Sequence, residues 1–245
     1  MTLPTNKLVF LEEWTRGTLR DPMQHFRKRS KRECPICGYR GNFISAWSRQ
    51  ETRCPNCSSK ERDRIFQLYL NKTGISVDGK KILHFSPERP FWRLWHSMPG
   101  YVSGDVKKNK VANSFIDVTQ IGYPDNDFDV VICNHVLEHV YNDRKGMSEC
   151  YRVLKKGGVG FFSVPMSEVS HETFEPPPSM SRAEVEKICG WDHKRLYGHD
   201  FVDRLKDVGF SVEEITFTDE EAERHRLRSE AKNGKNYDRV FVAVK

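Results

Sequence analysis

Two short cysteine pairs constrain the N-terminal part of this 245-residue chain more than any other feature. Each pair has the pattern Cys-x-x-Cys, and 16 residues separate Cys37 from Cys54. A tight turn of this kind presents two thiolates together, so two turns supply the four sulfur ligands of a tetrahedral zinc site. We therefore expect a structural zinc bound by Cys34, Cys37, Cys54 and Cys57. Unrelated buried thiols or a pair of redox dithiols are the alternatives.

The composition is typical of a globular protein. Lys and Arg number 40 against 34 Asp and Glu, and this formal charge of +6 permits an anionic partner without requiring one. Hydrophobic residues at 37% argue against wholesale disorder. No apolar run reaches the roughly 20 residues of a membrane span, and no secretory signal is evident. The cysteines number seven, which is odd, and four of them fall in two close pairs, a pattern that favours metal binding in a reducing compartment over a disulfide framework. We therefore expect a cytoplasmic protein, and no membrane partner is expected.

Three parts of the chain differ in their patterns. Residues 1–33 form a basic arm, whose charge run at 27–32 is either a solvated surface or an anion contact. Residues 34–71 are expected to form a zinc-ribbon-like module, which contains the cysteine pairs, and a helix. Residues 80–245 show alternating strand and helix patterns, and this region is expected to form the larger domain.

Local signals mark the ends of two helices. The spacing of Ser58 and Glu61 is that of a capping box and predicts the start of the first helix. Asn142 is expected to cap a later helix, which Gly157 and Gly158 are expected to end.

Seven apolar or β-branched runs predict the strands of one sheet. They cover residues 81–85, 101–105, 114–117, 128–133, 159–164, 211–217 and 239–244. Their alternation with helices predicts a doubly wound, mostly parallel α/β sheet, accompanied by the small N-terminal module. Ligands of such sheets bind beyond the carboxyl ends of the strands, so the residues that directly follow each strand are candidates for a site.

Two segments carry a family resemblance. Residues 125–140 combine Asp127-Phe128-Asp129 with Leu137-Glu138-His139 around the fourth predicted strand, and residues 151–158 lead from Tyr151-Arg152-Val153-Leu154 through two lysines into two glycines. Together they resemble class I S-adenosylmethionine-dependent methyltransferases of the type-11 group. The strand order extends this likeness over residues 80–245. The resemblance implies a Rossmann-like methyltransferase sheet, S-adenosylmethionine as cofactor and an enzyme that transfers a methyl group.

The resemblance also implies which residues contact the cofactor. Asp105, at the end of the second strand, would accept hydrogen bonds from both ribose hydroxyls. Asp117, followed by Val118, would meet the adenine amino group. Asn134 and His135 would line the side of methyl transfer.

The loop after the first strand departs from the family pattern. The family has a glycine-rich loop there, and residues 84–90 contain no glycine. We expect His84, Ser86 and Glu88 to contact the cofactor instead, with Glu88 receiving its ammonium group. Loss of cofactor binding is the alternative, because glycines let a backbone approach its ligand closely.

The turn after the fourth strand has several interpretations. His135 is expected to act as a base or to contact the substrate, and His139 to contact the substrate. The turn also resembles that of ubiquinone O-methyltransferases, which implies a divalent-metal alternative for His135, Glu138 and His139. Structural packing is the third interpretation.

Residues 166–199 form a long connection that predicts a lid or an acceptor site. Similar enzymes have an aspartate–histidine–hydrophobic–arginine–x–tyrosine–glycine stretch here. We expect His193 and Tyr197 to be catalytic and Arg195 to bind the acceptor. Alternatively, Trp191 and Tyr197 anchor the loop to the core and Arg195 pairs with an acid.

The function expected from these features is methyl transfer from S-adenosylmethionine to an oxygen or nitrogen of a small-molecule or sugar-like acceptor. One alternative is an RNA methyltransferase, in which the zinc module and the basic arm hold the RNA backbone. The other alternative is a non-catalytic binding protein that retains the fold.

Overall fold

The computed structural model describes Leu19 and residues 32–46, 49–107, 111–227, 235–236 and 239–245. Most of the basic arm lies outside the described residues. The described residues of the whole chain fall into two compact units. The first comprises the described residues within Met1–Ser76, Glu88–Trp95 and Thr216–Ala231, and the second those within Val77–Pro87, His96–Ile215 and Lys232–Lys245.

The strands of the described residues are short to medium in length. In chain order they are β1 (Ile44–Ala46), β2 (Arg49–Arg53), β3 (Ile82–Phe85), β4 (Tyr101–Asp105), β5 (Ser114–Phe115), β6 (Phe128–Asn134), β7 (Leu154–Ser163), β8 (Met166–Ser167), β9 (Ser211–Glu214), β10 (Lys235–Asn236) and β11 (Phe241–Val244). β1 and β2 pair antiparallel in the first unit.

The helices alternate with these strands. They are α1 (Glu61–Thr73), α2 (Arg89–Trp95), α3 (Asp143–Val153), α4 (Arg182–Cys189), α5 (Phe201–Val208) and α6 (Asp219–His225), and a 3-10 turn spans Leu137–His139. Within the described ranges, none of the helices combines the length and the apolar character that crossing a bilayer requires.

The second unit is built on a seven-stranded sheet in the order β5-β4-β3-β6-β7-β11-β9. β3 pairs in parallel with both β4 and β6, whereas β11 pairs antiparallel with β7 and β9. The predicted doubly wound, mostly parallel sheet is therefore confirmed. The chain passes from β3 outwards to β5 and then returns to β6 on the other side of β3. This reversal of strand order opens a crevice at the carboxyl ends of β3 and β6, where doubly wound sheets bind ligands.

The central strands of this sheet are buried on both faces. In the register of β3 and β6, Leu83 lies beside Val131 and Phe85 beside Cys133, and all four are at most 2% exposed. Continuous apolar strands of this type are typical of parallel sheets covered by helices on both sides. The strand ends that carry the site are therefore held by a rigid core.

The start of α1 differs from the expected capping box. The amide of Ser58 donates to the carbonyl of Cys54 at 2.9 Å, so Ser58 belongs to the cysteine turn. The helix begins at Glu61, and the Asp63 carboxylate accepts from the Lys60 amide at 2.9 Å. The predicted cap at Ser58 is wrong, because the turn that holds the cysteines already uses this residue.

The two ends of α3 were predicted with different success. Asn142 caps the helix as expected, since its side chain accepts from the amide of Lys145 at 3.0 Å. The predicted end at the two glycines is wrong, because Leu154 already pairs with Phe128 and starts β7. Gly157, with a φ of +73°, lies inside β7, where the pairing register shifts.

Candidate active site and metal centre

The four paired cysteines converge in the first unit. All four are buried, and their sulfur atoms lie within 4.8 Å of one another. The sulfurs of Cys34 and Cys57 are 3.6 Å apart, and so are those of Cys37 and Cys54. Two sulfurs that bind one tetrahedral zinc at about 2.3 Å lie roughly 3.8 Å from each other. The cluster therefore has the donor set and the spacing that zinc requires.

Both cysteine turns have the same backbone construction. The residue that follows the second cysteine donates its amide to the carbonyl of the first, Gly38 to Cys34 and Ser58 to Cys54, each at 2.9 Å. Both donors have positive φ, +71° at Gly38 and +65° at Ser58. Glycine adopts this conformation without strain, whereas serine does so at a cost.

A buried arginine connects this module to a distant part of the chain. Arg64 in α1 is fully buried and donates to four carbonyl oxygens. Its acceptors are Thr52 at 3.0 Å, Ser59 at 2.7 Å, His225 at 2.7 Å and Arg226 at 2.6 Å. Because every acceptor belongs to the backbone, the guanidinium fixes the path of the chain on both sides of the module.

The second unit contains a cleft of about 680 Å³ at the carboxyl ends of its parallel strands. Five segments contribute to its lining, with residues 85–86, 104–107, 116–119, 135–136 together with 139–142, and 191–192. Four of these segments lie at or directly after the carboxyl ends of β3, β4, β5 and β6. The volume lies within the range of about 300–1,000 Å³ that is usual for small-molecule and cofactor sites.

Ser86 directly follows β3, in the loop that contains no glycine. Its φ is +42°, and its amide donates to the carbonyl of Gly104 at 2.8 Å. Its hydroxyl donates to Oδ2 of Asp105 at 2.8 Å, while Oδ1 accepts from the amide of Lys107 at 2.8 Å. The serine therefore adopts the left-handed conformation of a glycine and also orients the Asp105 carboxylate in the cleft.

Asp117 lies in a loop that is anchored to α3. Its Oδ1 accepts from the amide of Thr119 at 2.8 Å and from the hydroxyl of the same residue at 2.7 Å. Two residues further on, Ile121 donates its amide to Glu149 at 2.9 Å and accepts from Arg152 at 2.7 Å. The hydrogen bond from Arg152, supported by other donors, lowers the pKa of Glu149 to about 2. The Glu149 carboxylate, which anchors the loop of Asp117 to α3, is therefore ionised at neutral pH.

His135 follows β6 and has a φ of +52°. Its Nδ1 lies 3.2 Å from Oε1 of Glu138, whose side chain is 1% exposed. Because a carboxylate only accepts hydrogen bonds, the imidazole form with its proton on Nδ1 suits this approach, and Nε2 is the acceptor in that form. Burial raises the pKa of Glu138, but the hydrogen bond from His135 and the charges of His135 and His139 bring the pKa below its ordinary value.

His139 and His193 form a second group beside the cleft. Nδ1 of His139 lies 3.2 Å from the carbonyl oxygen of Asp192, and Nδ1 of His193 lies 2.9 Å from that of Cys189. The two rings are nearly perpendicular, with centroids 4.8 Å apart. The structure thus brings His193 to the turn that carries His139.

Arg195 and Tyr197 lie behind the cleft wall and do not line it. Arg195 is 4% exposed and donates to the carbonyl oxygens of Val140 at 2.7 Å and Tyr141 at 2.8 Å. Tyr197 is fully buried, and its hydroxyl donates to Asp143 at 2.9 Å. Burial, together with the charge of Asp143, raises the pKa of the Tyr197 phenol well above its usual value. Both side chains hold the loop against the residues that follow the 3-10 turn.

The remaining predicted cofactor residues have different positions. Val118 lines the cleft and is 2% exposed. His84 lies inside β3 and Asn134 at the end of β6, both buried and neither in the lining. Glu88 belongs to the first unit, where it precedes α2 and accepts a hydrogen bond from Arg62 at 3.3 Å.

Two aromatic residues of the cleft were not predicted to line it, since Tyr141 was missed and the exposed Trp191 was named only as an alternative anchor of the loop to the core. Tyr141 and Trp191 line the cleft and are 84% and 70% exposed. Large aromatic side chains are usually buried, so an exposed pair at a cleft indicates a binding surface. Tyr141 and Trp191 are close in sequence to His139 and His193, and this closeness could have indicated them. The sequence does not show, however, which aromatic residues are exposed.

Comparisons with known proteins point to one family. The family described as "Methyltransferase domain" matches residues 98–162. A protein of Mycolicibacterium smegmatis named "Probable S-adenosylmethionine-dependent methyltransferase" is 29% identical over 119 residues. The match covers 49% of this chain and 40% of that protein, so the chain spans less than half the length of this relative.

Solved structures share the fold at low sequence identity. An S-adenosylmethionine-dependent methyltransferase from Mesorhizobium loti is 14% identical, with 74% of this chain and 98% of that chain covered and a TM-score of 0.51. YcgJ from Bacillus subtilis is 13% identical, with 75% and 98% covered and a TM-score of 0.52. The (4+2)-cyclase SpnF is 14% identical, with 100% and 98% covered and a TM-score of 0.53. These likenesses establish the fold alone, and the cyclase shows that this fold does not fix the reaction.

Proposed function

We propose that the second unit binds S-adenosylmethionine and methylates an oxygen or nitrogen of a small-molecule acceptor. The match of residues 98–162 to the methyltransferase-domain family supports this proposal. The observation that carries the proposal is the Asp105 carboxylate. It lies at the end of β4, it lines the cleft at the reversal of strand order, and the hydroxyl of Ser86 orients it.

The residues of the cleft fit the cofactor. The Asp105 carboxylate is held by the hydroxyl of Ser86 and the amide of Lys107, and a carboxylate with two acceptor oxygens suits the two hydroxyls of a ribose. Ile116, Val118 and Val136 provide apolar surface for a flat purine. Thr119 occupies one oxygen of Asp117, and the other is suited to accept from the exocyclic amine of adenine.

His135 is our candidate for the general base. S-adenosylmethionine supplies an electrophilic methyl group on a positively charged sulfur. Nε2 of His135 accepts the proton of the acceptor, while Glu138 holds the proton on Nδ1 and stabilises the imidazolium that forms. Glu138 is a positioning residue in this scheme. His193 contacts the acceptor on the same side, and the buried Arg195 and Tyr197 position the loop that carries it.

The exposed aromatic surface supports a small acceptor with a ring. Tyr141 and Trp191 present flat, amphipathic faces at the cleft, and such faces pack against sugar or aromatic rings. The basic arm, which would contact RNA in the alternative function, falls mostly outside the described residues. The RNA alternative therefore stays a prediction.

We also propose that Cys34, Cys37, Cys54 and Cys57 bind a structural zinc. Four thiolates fill a tetrahedral coordination shell, so no position is left for a substrate. The zinc would stabilise the fold of the first unit and take no part in the reaction.

The test of cofactor binding is calorimetric titration of the full chain with S-adenosylmethionine and S-adenosylhomocysteine. Asp105→Ala removes a charged acceptor of two hydrogen bonds. The affinity of this variant for S-adenosylmethionine is therefore expected to be about 10- to 100-fold lower than that of the wild type. Asp207→Ala, at a side chain that is 62% exposed on α5, is the matched control and should bind as the wild type does. No binding to the wild type at millimolar ligand, or unchanged affinity in Asp105→Ala, would reject the assignment.

A further inference from the structure

A group of three potential metal ligands adjoins the cleft. Glu138 and His139 come from the 3-10 turn, and His193 comes from the loop between α4 and α5. One ligand atom of each residue lies within 4.8 Å of the other two. We propose that Glu138, His139 and His193 form a second metal site, which binds a divalent transition-metal ion such as Zn²⁺ through one carboxylate and two imidazoles.

Hydrogen bonds hold both imidazoles in the form that binds a metal. A carbonyl oxygen only accepts, so the contacts of His139 with Asp192 and of His193 with Cys189 assign the proton to Nδ1 in both rings. Nε2 then carries the lone pair. Histidines that bind metals usually donate their other ring nitrogen to a carbonyl or a carboxylate in this way.

Glu138 gives an independent reason to expect a cation. Its side chain is 1% exposed, and Oε1 lies near His135. Among the described residues, no hydrogen-bond donor reaches Oε2. A buried carboxylate oxygen without a partner is costly, and buried charges are normally paired or bound to a metal. An ion between the two imidazoles would supply the missing partner.

The surrounding charges are compatible with such an ion. The Asp192 carboxylate lies 3.8 Å from Nδ1 of His139, and a carboxylate at this nitrogen is a common neighbour of metal-binding imidazoles. Lys107 and Lys194 lie 3.7 Å and 3.9 Å from the carboxylate oxygens of Asp192. The neighbouring lysines are therefore paired with Asp192, and the negative charge of Glu138 remains to attract a cation.

The donor set indicates an ion with an open position. Nitrogen and oxygen donors bind zinc at about 2.0–2.2 Å, so small rotations of the rings are enough to close the observed spacing. Two histidines and one glutamate leave the fourth position of a tetrahedral ion free. Since His139 lines the cleft, this position is within reach of an acceptor oxygen. That last step rests on the proposed function, and metal binding itself does not.

Metal binding can be measured directly on the full chain with its cysteine site loaded with zinc. We expect titration with Co²⁺ to fill one further site per chain. Its absorption spectrum should show nitrogen and oxygen ligation without a thiolate-to-metal charge-transfer band. His193→Ala and Glu138→Gln should each weaken this site by on the order of 100-fold. His171→Ala, at an exposed histidine of the same long connection, should leave it unchanged.

A variant that gains a signal shows that loss of metal binding in the other variants is not caused by unfolding. His193→Cys keeps a ligand at this position, so it should bind Co²⁺ and add a thiolate-to-metal band that the wild type lacks. A wild type that binds no ion beyond the cysteine-bound zinc would overturn the proposal. So would retention of full affinity by His193→Ala and Glu138→Gln. Titration with S-adenosylmethionine in metal-free buffer reports on the proposed function separately, and we expect His193→Ala to retain that affinity.

Discussion

The cysteine centre and the cleft differ in how their residues are brought together. The four cysteines lie within residues 34–57, and two turns of the same construction place all their sulfurs. The cleft is lined by five segments that extend from Phe85 to Asp192, and the sheet topology aligns them. The centre is buried and closed, whereas the cleft is open and bears exposed aromatic residues. A closed centre suits a structural role, and an open one suits the exchange of ligands.

The largest effect is expected from loss of the cysteine-bound metal. Cys54→Ser should abolish zinc retention and unfold the module, because structural zinc contributes on the order of 10 kcal/mol in small metal-dependent folds. Zinc content, together with hydrogen exchange of residues 34–59, would measure this loss. Cys150→Ser is the control, since Cys150 is a buried core residue of α3 and should keep zinc at the wild-type level. Equal zinc content in Cys54→Ser and the wild type would contradict a four-cysteine site.

The same contrast explains what the sequence could reveal about the site. The cysteine cluster follows from spacing within one short segment, and the structure shows the four residues together. Asp105, Asp117 and His135 could be named because each lies at or just after the carboxyl end of a predicted strand, and the strand pattern was strong enough to predict the sheet. All three line the cleft.

Side-chain direction within loops could not be predicted in this way. Ser86 shows no glycine signal in the sequence, yet it has a positive φ. The sequence does not show that Arg195 reaches carbonyl oxygens near the 3-10 turn, or that Tyr197 reaches Asp143. These contacts depend on where the long connection packs, which is a property of the tertiary structure. The approach of His193 to Glu138 and His139 was missed for the same reason.

The second largest effect is expected from removal of the candidate base. His135→Asn should reduce kcat roughly 100- to 10,000-fold, the usual contribution of general base catalysis, with little change in affinity for S-adenosylmethionine. Asparagine tolerates a positive φ better than alanine does, so this variant tests the imidazole and not the backbone.

The measurement is transfer of a labelled methyl group from S-adenosylmethionine to a panel of hydroxylated and amino ring compounds. Glu138→Gln, which retains the volume of the side chain but loses its charge, should give a smaller loss of kcat than His135→Asn does. A wild-type rate in His135→Asn would remove His135 from the catalytic scheme. Asp105 would then be the main residue that supports a functional role for the cleft.

The smallest effects are expected at two serines with positive φ, one in each unit. Ser58→Gly relieves a left-handed conformation that costs roughly 1 kcal/mol for a residue with a β-carbon. It also removes a buried hydroxyl that has no hydrogen-bond partner among the described residues. Because glycine loses more conformational entropy on folding, we expect a net gain of at most about 1 kcal/mol, read as a small rise in Tm with unchanged zinc content.

Ser86→Gly relieves the same kind of strain but has a different cost. The Ser86 hydroxyl orients Asp105, and a hydrogen bond of this type contributes about 0.5–1.5 kcal/mol, which is roughly a 2- to 10-fold change in affinity. Ser86→Gly should therefore raise Tm slightly and weaken S-adenosylmethionine binding a few-fold, whereas Ser58→Gly should leave binding unchanged. Tighter cofactor binding in Ser86→Gly would mean that close approach of the backbone matters more than the hydroxyl does. In that case the loop would contact the cofactor through its backbone, as the glycine-rich loop of the resembled family does. The hydroxyl of Ser86 would then have no role in cofactor binding, and a glycine would suit this position better.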